Sequence, residues 1–485
     1  MSTSPKLHHA RLWIACILIV LPLLVATTTP AAEPVVPVPE PFTQPTEIPG
    51  KFALDNVRFP PVPDPKVGAK PDGLPDDAVS PLYGIYMWMG EYRRFRESIK
   101  SIGWKSIRMG GNIDEDAVRL LAGDGMDILH TMGPGALRSR DPAEREKILA
   151  EYIASMESFA KRYGPGGEFF KANPTLAAHP IRFIGICNEP NFQYVIPPDD
   201  RPNAEVEADR EALYAALLPR AFEALKKANP EVQVVGFQAG GASAGDRRFI
   251  ANMLKINPKL FDFCDVGANH PYLDPDPPEA WAIRSWGRYD IADGVSTWKK
   301  WFADGGKPDM PLWLTEIGWE VSTPEGGRYQ KPPEHGITQA LQAAYITRLY
   351  SLASRWGVER VFIMFITDTD TYNGGFLSFF DGSERLSAKA VRNHIKLMPW
   401  PQLKKVIREI EDGTYAYQFA TGREDEEIIM TWRVAGPGEI SLDIPWANAE
   451  LVDMFGNVKA ITGGEAVKVG IGPLPVYIRA TTQTQ

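Results

Sequence analysis

Two glutamates in this chain stand where apolar runs break off. In "RFIGICNEPNF" (182–192) a mostly apolar stretch leads into Asn188, Glu189 and Pro190, and in "PLWLTEIGW" (311–319) another leads into Glu316. Short apolar runs of this kind read as buried strands, and Pro190, lacking an N–H, cannot extend a sheet ladder. Each Glu is therefore placed at a strand end. Held at one rim of a sheet, opposed carboxylates suit acetal cleavage. One protonates the departing oxygen and the other meets the cationic anomeric carbon. The plainer alternative is two independent rim carboxylates in surface ion pairs. Their joint placement at strand ends favours chemistry.

The surrounding elements must bring those two ends together. From residue 81 strand-like and helix-like segments alternate: "YGIYMW" (83–88), "KSIRMGG" (105–111), "DILHTMG" (127–133), "IRFIGICNEP" (181–190), "VQVVGFQAGG" (232–241), "FDFCDVGANHPY" (261–272), "MPLWLTEIGW" (310–319) and "ERVFIMFITD" (359–368) each precede a helical pattern. Eight such units within residues 81–398 predict a (β/α)8 TIM barrel rather than an open doubly wound sheet. Glu189 then ends the fourth strand and Glu316 the seventh, and the rim where strand-to-helix loops gather is where barrels place active sites. No glycine-rich phosphate loop follows the first strand. "QAGGASAG" after the fifth strand lacks the Lys and spacing of a phosphate cradle and reads as a loop.

With these residues in place, "NEPN" and "LTEIGW" resemble the signature of the clan A retaining glycoside hydrolases, and the texture after Glu316 is similar to glycoside hydrolase families 39 and 5. The resemblance covers residues 81–398. It implies a β-glycosidic substrate and retained configuration, with Glu189 as acid/base and Glu316 as nucleophile. It further implies that Arg108 bonds the nucleophile, that Asn188 contacts the sugar 2-hydroxyl, and that His270 and Tyr272 touch one of the carboxylates. His130, ending the third strand, is either a subsite ligand or a structural histidine. Trp319 is either a sugar platform or a loop packer. The sequence departs from the clan in one respect: "VFIMFITDTDTY" carries no Trp under the reacting sugar, leaving Phe365, Tyr372 or Trp88 as substitutes.

The rest of the chain bounds the function. Its 485 residues allow a large barrel and a smaller module. A formal net charge of −9 disfavours nucleic acid and anionic membranes as partners. The partner implied is carbohydrate, with thirteen Trp and sixteen Tyr available to stack on sugar faces or to pack the core. Cys187 and Cys264 sit in apolar segments and read as buried small hydrophobes; with no CxxC or HExxH, neither metal nor cofactor is expected. Residues 1–32 have the layout of a signal peptide, with Lys6 and Arg11 before the apolar run Leu12–Ala26, which predicts a secreted or periplasmic protein, an uncleaved membrane anchor being the alternative. Residues 33–80 are Pro-rich and read as a linker or strap. Residues 399–485 alternate apolar and polar positions between turn residues, predicting a small antiparallel β-sandwich that caps the barrel or binds sugar. Two other readings compete. A carbohydrate-binding pseudoenzyme would have lost one Glu, and an aldolase-type barrel would place a Lys at a strand end.

Overall fold

The computed structural model describes residues 36–481 apart from 135–136, 138, 193–195, 197–198, 285–286 and 323–335. The leader expected over residues 1–32 lies outside the described residues. Eight parallel strands close a barrel: β1 (Tyr83–Tyr86), β2 (Ser106–Met109), β3 (Asp127–Met132), β4 (Phe183–Ile186), β5 (Gln233–Gly240), β6 (Val266–His270) and, after a hairpin of β7 (Trp281–Arg284) and β8 (Gly287–Asp290), β9 (Leu312–Ile317) and β10 (Arg360–Met364). Around the barrel each strand pairs with its neighbours in chain order, and β10 closes on β1. The strands are buried on both faces, which explains their unbroken apolar runs.

Helices start where polar caps precede apolar periodicity. Asp114 accepts from Ala117 N, Asp141 precedes Pro142 at the first helical position, and Ser243 and Asp246 form a capping box. The helix Pro142–Tyr163 follows β3. The sixth strand is shorter than its apolar run. Leu260–Phe263 forms a turn of 3-10 helix, because Phe261 packs among Trp298 and Phe302 on the helical side of the barrel. The β7–β8 hairpin falls in a stretch that reads as loop.

Side chains on the strands alternate between the barrel interior and the helices. Leu129, Phe183, Val235, Ala268, Trp313 and Phe362 fill an interior layer. The positions two residues on, Thr131, Gly185, His270 and Met364, lie one layer nearer the rim. Strict alternation from Trp313 would send Glu316 outwards. β9 carries one extra residue against β10: Leu314 pairs with Val361 but Ile317 with Ile363. That bulge resets the parity and turns Glu316 inward. β5 does the same against β6 between Phe237 and Ala239, so that Phe237 faces Tyr214 and Trp298 while Gln238 enters the barrel.

The C-terminal module is antiparallel throughout, with strands β11 (Gln402–Arg408), β12 (Thr414–Ala420), β13 (Glu427–Arg433), β14 (Gly438–Asp453), β15 (Val458–Ile471) and β16 (Val476–Ala480) in the order β11-β12-β13-β16-β14-β15. Tyr415, Tyr417 and Phe419 join the core shared with the barrel. The alternate face of the sheet, with Ala416, Ile429 and Ile478, is covered by Ile440, Leu442 and Val469 from the long strands β14 and β15. Residues 36–80 run over both parts. Arg355 donates to Pro60 O, Trp400 to Gly68 O, Lys70 to Gly422 O, and Gln44 bonds Leu474 in both directions. No described helix is long and apolar enough to cross a membrane.

Candidate active site

The rim at the C-terminal ends of the barrel strands holds a connected polar cluster. Arg108 is 1% exposed, and its guanidinium reaches three partners. Nη1 donates to Glu316 Oε1, Nη2 to Asn188 Oδ1 at 2.6 Å, and Nε to Thr131 Oγ1 at 3.1 Å. The Thr131 hydroxyl donates to Gln238 Oε1 at 3.0 Å, and Gln238 Nε2 donates to Cys187 O at 2.7 Å. Glu189 N donates in turn to Gln238 O at 3.1 Å. A Cβ on Gly185 would lie 2.5 Å from Gln238 Nε2 and 3.0 Å from Thr131 Oγ1, so glycine is what leaves room for this chain of bonds.

Asn188 and Glu189 reach the cluster through a strained turn. Cys187 (φ 61°) and Glu189 (φ 40°) both occupy the left-handed region, which non-glycine residues rarely adopt. The turn is clamped from the side. Asn191 Nδ2 donates to Gly240 O at 2.8 Å while Asn191 Oδ1 accepts from Gly240 N at 2.9 Å. The outcome is a facing pair of acids. Carboxylate oxygens of Glu189 and Glu316 and a ring nitrogen of His270 all lie within 4.8 Å of one another. His270 Nδ1 stands 3.0 Å from Glu189 Oε1 and 3.6 Å from Glu316 Oε2, and the Tyr272 hydroxyl donates to Glu316 Oε2 at 2.9 Å.

The surrounding charges act on Glu316. Burial alone would raise the Glu316 carboxyl. The charges of His270 and Arg108, and the hydrogen bonds from Arg108 and Tyr272, outweigh it and hold the carboxyl below its ordinary value. Burial and the neighbouring Glu316 push the Tyr272 hydroxyl well above its ordinary range, so it remains a donor. The same three side chains, Glu189, His270 and Glu316, form a donor set that a metal ion could use. Arg108 already supplies Glu316 with the positive charge such an ion would bring, and a cation there would meet the guanidinium.

The structure brings Arg108, Asn188, Glu189, His270, Tyr272 and Glu316 together, and it separates two other expected residues from them. His130 lies outside the barrel wall, its ring 4.6 Å from that of Phe159, and burial lowers its pKa to about 4. Of its two readings the structural one applies. Trp319 is wholly buried, donates its indole N–H to Asp276 O at 2.9 Å and packs on Tyr345, so it is a loop packer and not a sugar platform. Phe365 sits at the rim, stacked on Trp88 at 4.6 Å with Tyr86 at 5.0 Å and Tyr372 at 5.6 Å; Trp88 is 39% exposed. Cys187 and Cys264 are both buried and free, and burial pushes the Cys187 thiol up to about 12.

Sequence reasoning missed Thr131, Gln238 and Asn191. Thr131 was accessible through alternation from Leu129. Gln238 was not, because strict alternation from Val235 would send it outwards, and only the bulge in β5 turns it into the barrel.

No protein-family model and no curated protein sequence matches this chain. Solved structures do. A family 39 glycoside hydrolase from the gut symbiont Bacteroides cellulosilyticus WH2 superposes with a TM-score of 0.62 at 18% identity, over 84% of this chain and 82% of that one. A thermostable GH51 alpha-L-arabinofuranosidase from Thermotoga petrophila RKU-1 follows with a TM-score of 0.54 at 12% identity, covering 87% and 99%. A monomeric beta-xylosidase from Caulobacter crescentus CB15 gives 0.52 at 13%, covering 84% and 97%. At these identities the likeness is one of fold.

Proposed function

We propose that this protein is a secreted retaining glycoside hydrolase that cleaves a β-glycosidic bond in an oligosaccharide or polysaccharide. One observation carries the reading. The carboxylate oxygens of Glu189 and Glu316 approach within 4.8 Å, and Arg108 binds Glu316. Retaining enzymes hold their two carboxyl groups about 5–5.5 Å apart, whereas inverting enzymes need about 6.5–9.5 Å to admit a water. The approach of the nearest oxygens within 4.8 Å supports the shorter, retaining separation. The fold shared with a beta-xylosidase and other glycoside hydrolases supports the reaction class.

The chemistry runs in two steps. Glu316, ionised beside Arg108, attacks the anomeric carbon as the glycosidic C–O bond breaks, and Glu189 gives its proton to the departing oxygen. Glu189, now a carboxylate, then takes a proton from water as that water's oxygen displaces Glu316 from the anomeric carbon. The ester is released and Glu189 is protonated again. Asn188 is oriented for the sugar: Arg108 occupies its Oδ1, leaving Nδ2 to donate to the 2-hydroxyl. Trp88, stacked on Phe365, offers the exposed ring face on which the reacting sugar rests.

The test is a pair of variants with aryl β-glycosides. Glu316→Ala removes the covalent route, so turnover collapses for every leaving group. Glu189→Ala spares the first step for a nitrophenol, and azide restores its turnover with a β-glycosyl azide as product. An α-azide, or equal losses on all leaving groups in both variants, would sink the assignment.

A further inference from the structure

A cavity of about 330 Å³ opens between the N-terminal ends of the helices Asn203–Ala228 and Ala244–Ile256. It is at the lower end of the range of small-molecule pockets, about 300–1,000 Å³. Among its walls are Phe192, Val206, Glu207, Asp246, Arg248 and Tyr289. None of these belongs to the polar cluster around Arg108, yet the cavity adjoins it. Gly241 lines the cavity, and its neighbour Gly240 lies against both the Phe192 ring and the Glu189 carboxylate. A Cβ added at Gly240 would come 2.7 Å from Glu189 Oε1 and would collide with the ring. Phe192 N donates to Glu189 O at 2.9 Å, so the ring is carried on the same strained turn as the acid.

In double displacement the proton donor must stand at the departing oxygen. Whatever leaves must therefore occupy space on the Glu189 side of the pair, away from the Glu316 and Tyr272 side. The geometry points to this cavity as the leaving-group subsite, and to a neutral sugar residue as its occupant, an assignment that rests on the catalytic reading above. Its chemistry selects such a unit. Phe192 is 40% exposed and its ring suits the C–H face of a pyranose, while Glu207 and Arg248 line the same cavity and supply an acceptor and a donor for ring hydroxyls. An anionic sugar is disfavoured, because the walls carry three carboxylates (Glu207, Glu211, Asp246) against the guanidiniums of Arg210 and Arg248. Arg210 is further committed, donating to Ile196 O at 2.8 Å.

Glycosyl fluorides separate this subsite from the catalytic centre, because fluoride leaves without filling it. The probes are the fluorides of glucose, xylose and galactose, each matched to a disaccharide with the same non-reducing sugar: cellobiose, xylobiose and lactose. For the pair that the wild-type protein cleaves, Phe192→Ala and, separately, Glu207→Ala lower the ratio of kcat/KM on the disaccharide to kcat/KM on the fluoride by about tenfold. Turnover of the fluoride itself shows that each variant is folded. A ratio that stays put in both variants overturns the subsite while leaving the catalytic pair standing. Failure of the wild-type protein to cleave any fluoride overturns both. A glucuronic acid acceptor that captures the glycosyl-enzyme better than glucose does would overturn the neutral-sugar assignment.

Discussion

Arg108 and Glu316 are almost wholly removed from water, with side-chain exposures of 1% and 8%, and their pairing sets the charge state of the site. Removing one partner of a buried pair typically costs about 3–5 kcal/mol, because the other charge is left uncompensated. Arg108→Met therefore destabilises the fold. Burial is then opposed only by His270 and Tyr272, so the Glu316 carboxyl rises towards its ordinary value. The sign follows from the depressed pKa in the wild-type protein. Glu316 contributes stability above the unfolded glutamate value of about 4.3, and that contribution is lost as pH falls through its lower folded value. On the proposed mechanism the acid limb of kcat/KM reports the same ionisation. Arg108→Met should shift that limb to higher pH and lower kcat/KM at neutral pH by about 10²-fold. A limb that does not move would show that Arg108 does not govern the ionisation of Glu316.

Two elements carry the acids, and they deliver them differently. β9 uses its bulge to turn Glu316 inward, whereas β4 ends in residues of positive φ that swing Asn188 and Glu189 over the rim. The second delivery depends on the end of β5, where Asn191 is bonded to Gly240 in both directions. Gly240→Ala leaves the strand ladder intact but drives its methyl group into Glu189 and Phe192. A misplacement of about 1 Å in a catalytic group can cost about 10²-fold. On the proposed mechanism the substitution displaces Glu189 and the neighbouring Phe192 ring but not Glu316, so kcat/KM should fall about 10²-fold on alkyl β-glycosides and far less on 2,4-dinitrophenyl glycosides, whose departure needs no proton. Equal losses on both would mean that the substitution damages more than Glu189.

Across the whole molecule the C-terminal sheet and the barrel share one core, and a buried ion pair ties both to a loop of the rim. Arg348 and Glu279 are each fully buried. Arg348, on the helix Gln339–Trp356, bonds Glu279 in the segment after β6 and donates to Pro473 O beside the sheet at 3.0 Å. Tyr272 comes from the start of that same segment. His394 and Tyr477 add a second buried link at 2.9 Å. Arg348→Met leaves Glu279 buried without its partner, for a loss of about 3–5 kcal/mol. Because the core is continuous, barrel and sheet should unfold in a single transition in denaturant, in the wild-type protein and in the variant. Two separated transitions, with one variant-sensitive and one not, would show that the sheet is an independent module.

Taken alone, the sequence determined the (β/α)8 barrel, the antiparallel C-terminal module and the segments whose ends bear Glu189 and Glu316. The reason is that apolar periodicity and turn residues are local, and eight repeats leave few ways to bury both faces of every strand. Arg108 was legible only through the resemblance to the clan A glycoside hydrolases, which implies a cation beside the nucleophile. Only the tertiary structure decided which way side chains point. The parity of β5 and β9 is reset by single extra residues that leave no compositional mark, and so Gln238 and Glu316 enter the cluster against the strict alternation of their strands. Trp319 and His130 show the converse. Each has the right residue type near a strand end, yet packing against Tyr345 and Phe159 takes both out of the site. Distances across a barrel belong to no segment of the chain. The approach of Glu189 to Glu316 arises where strands far apart in sequence close around a common axis, and the closure of the sheet sets it.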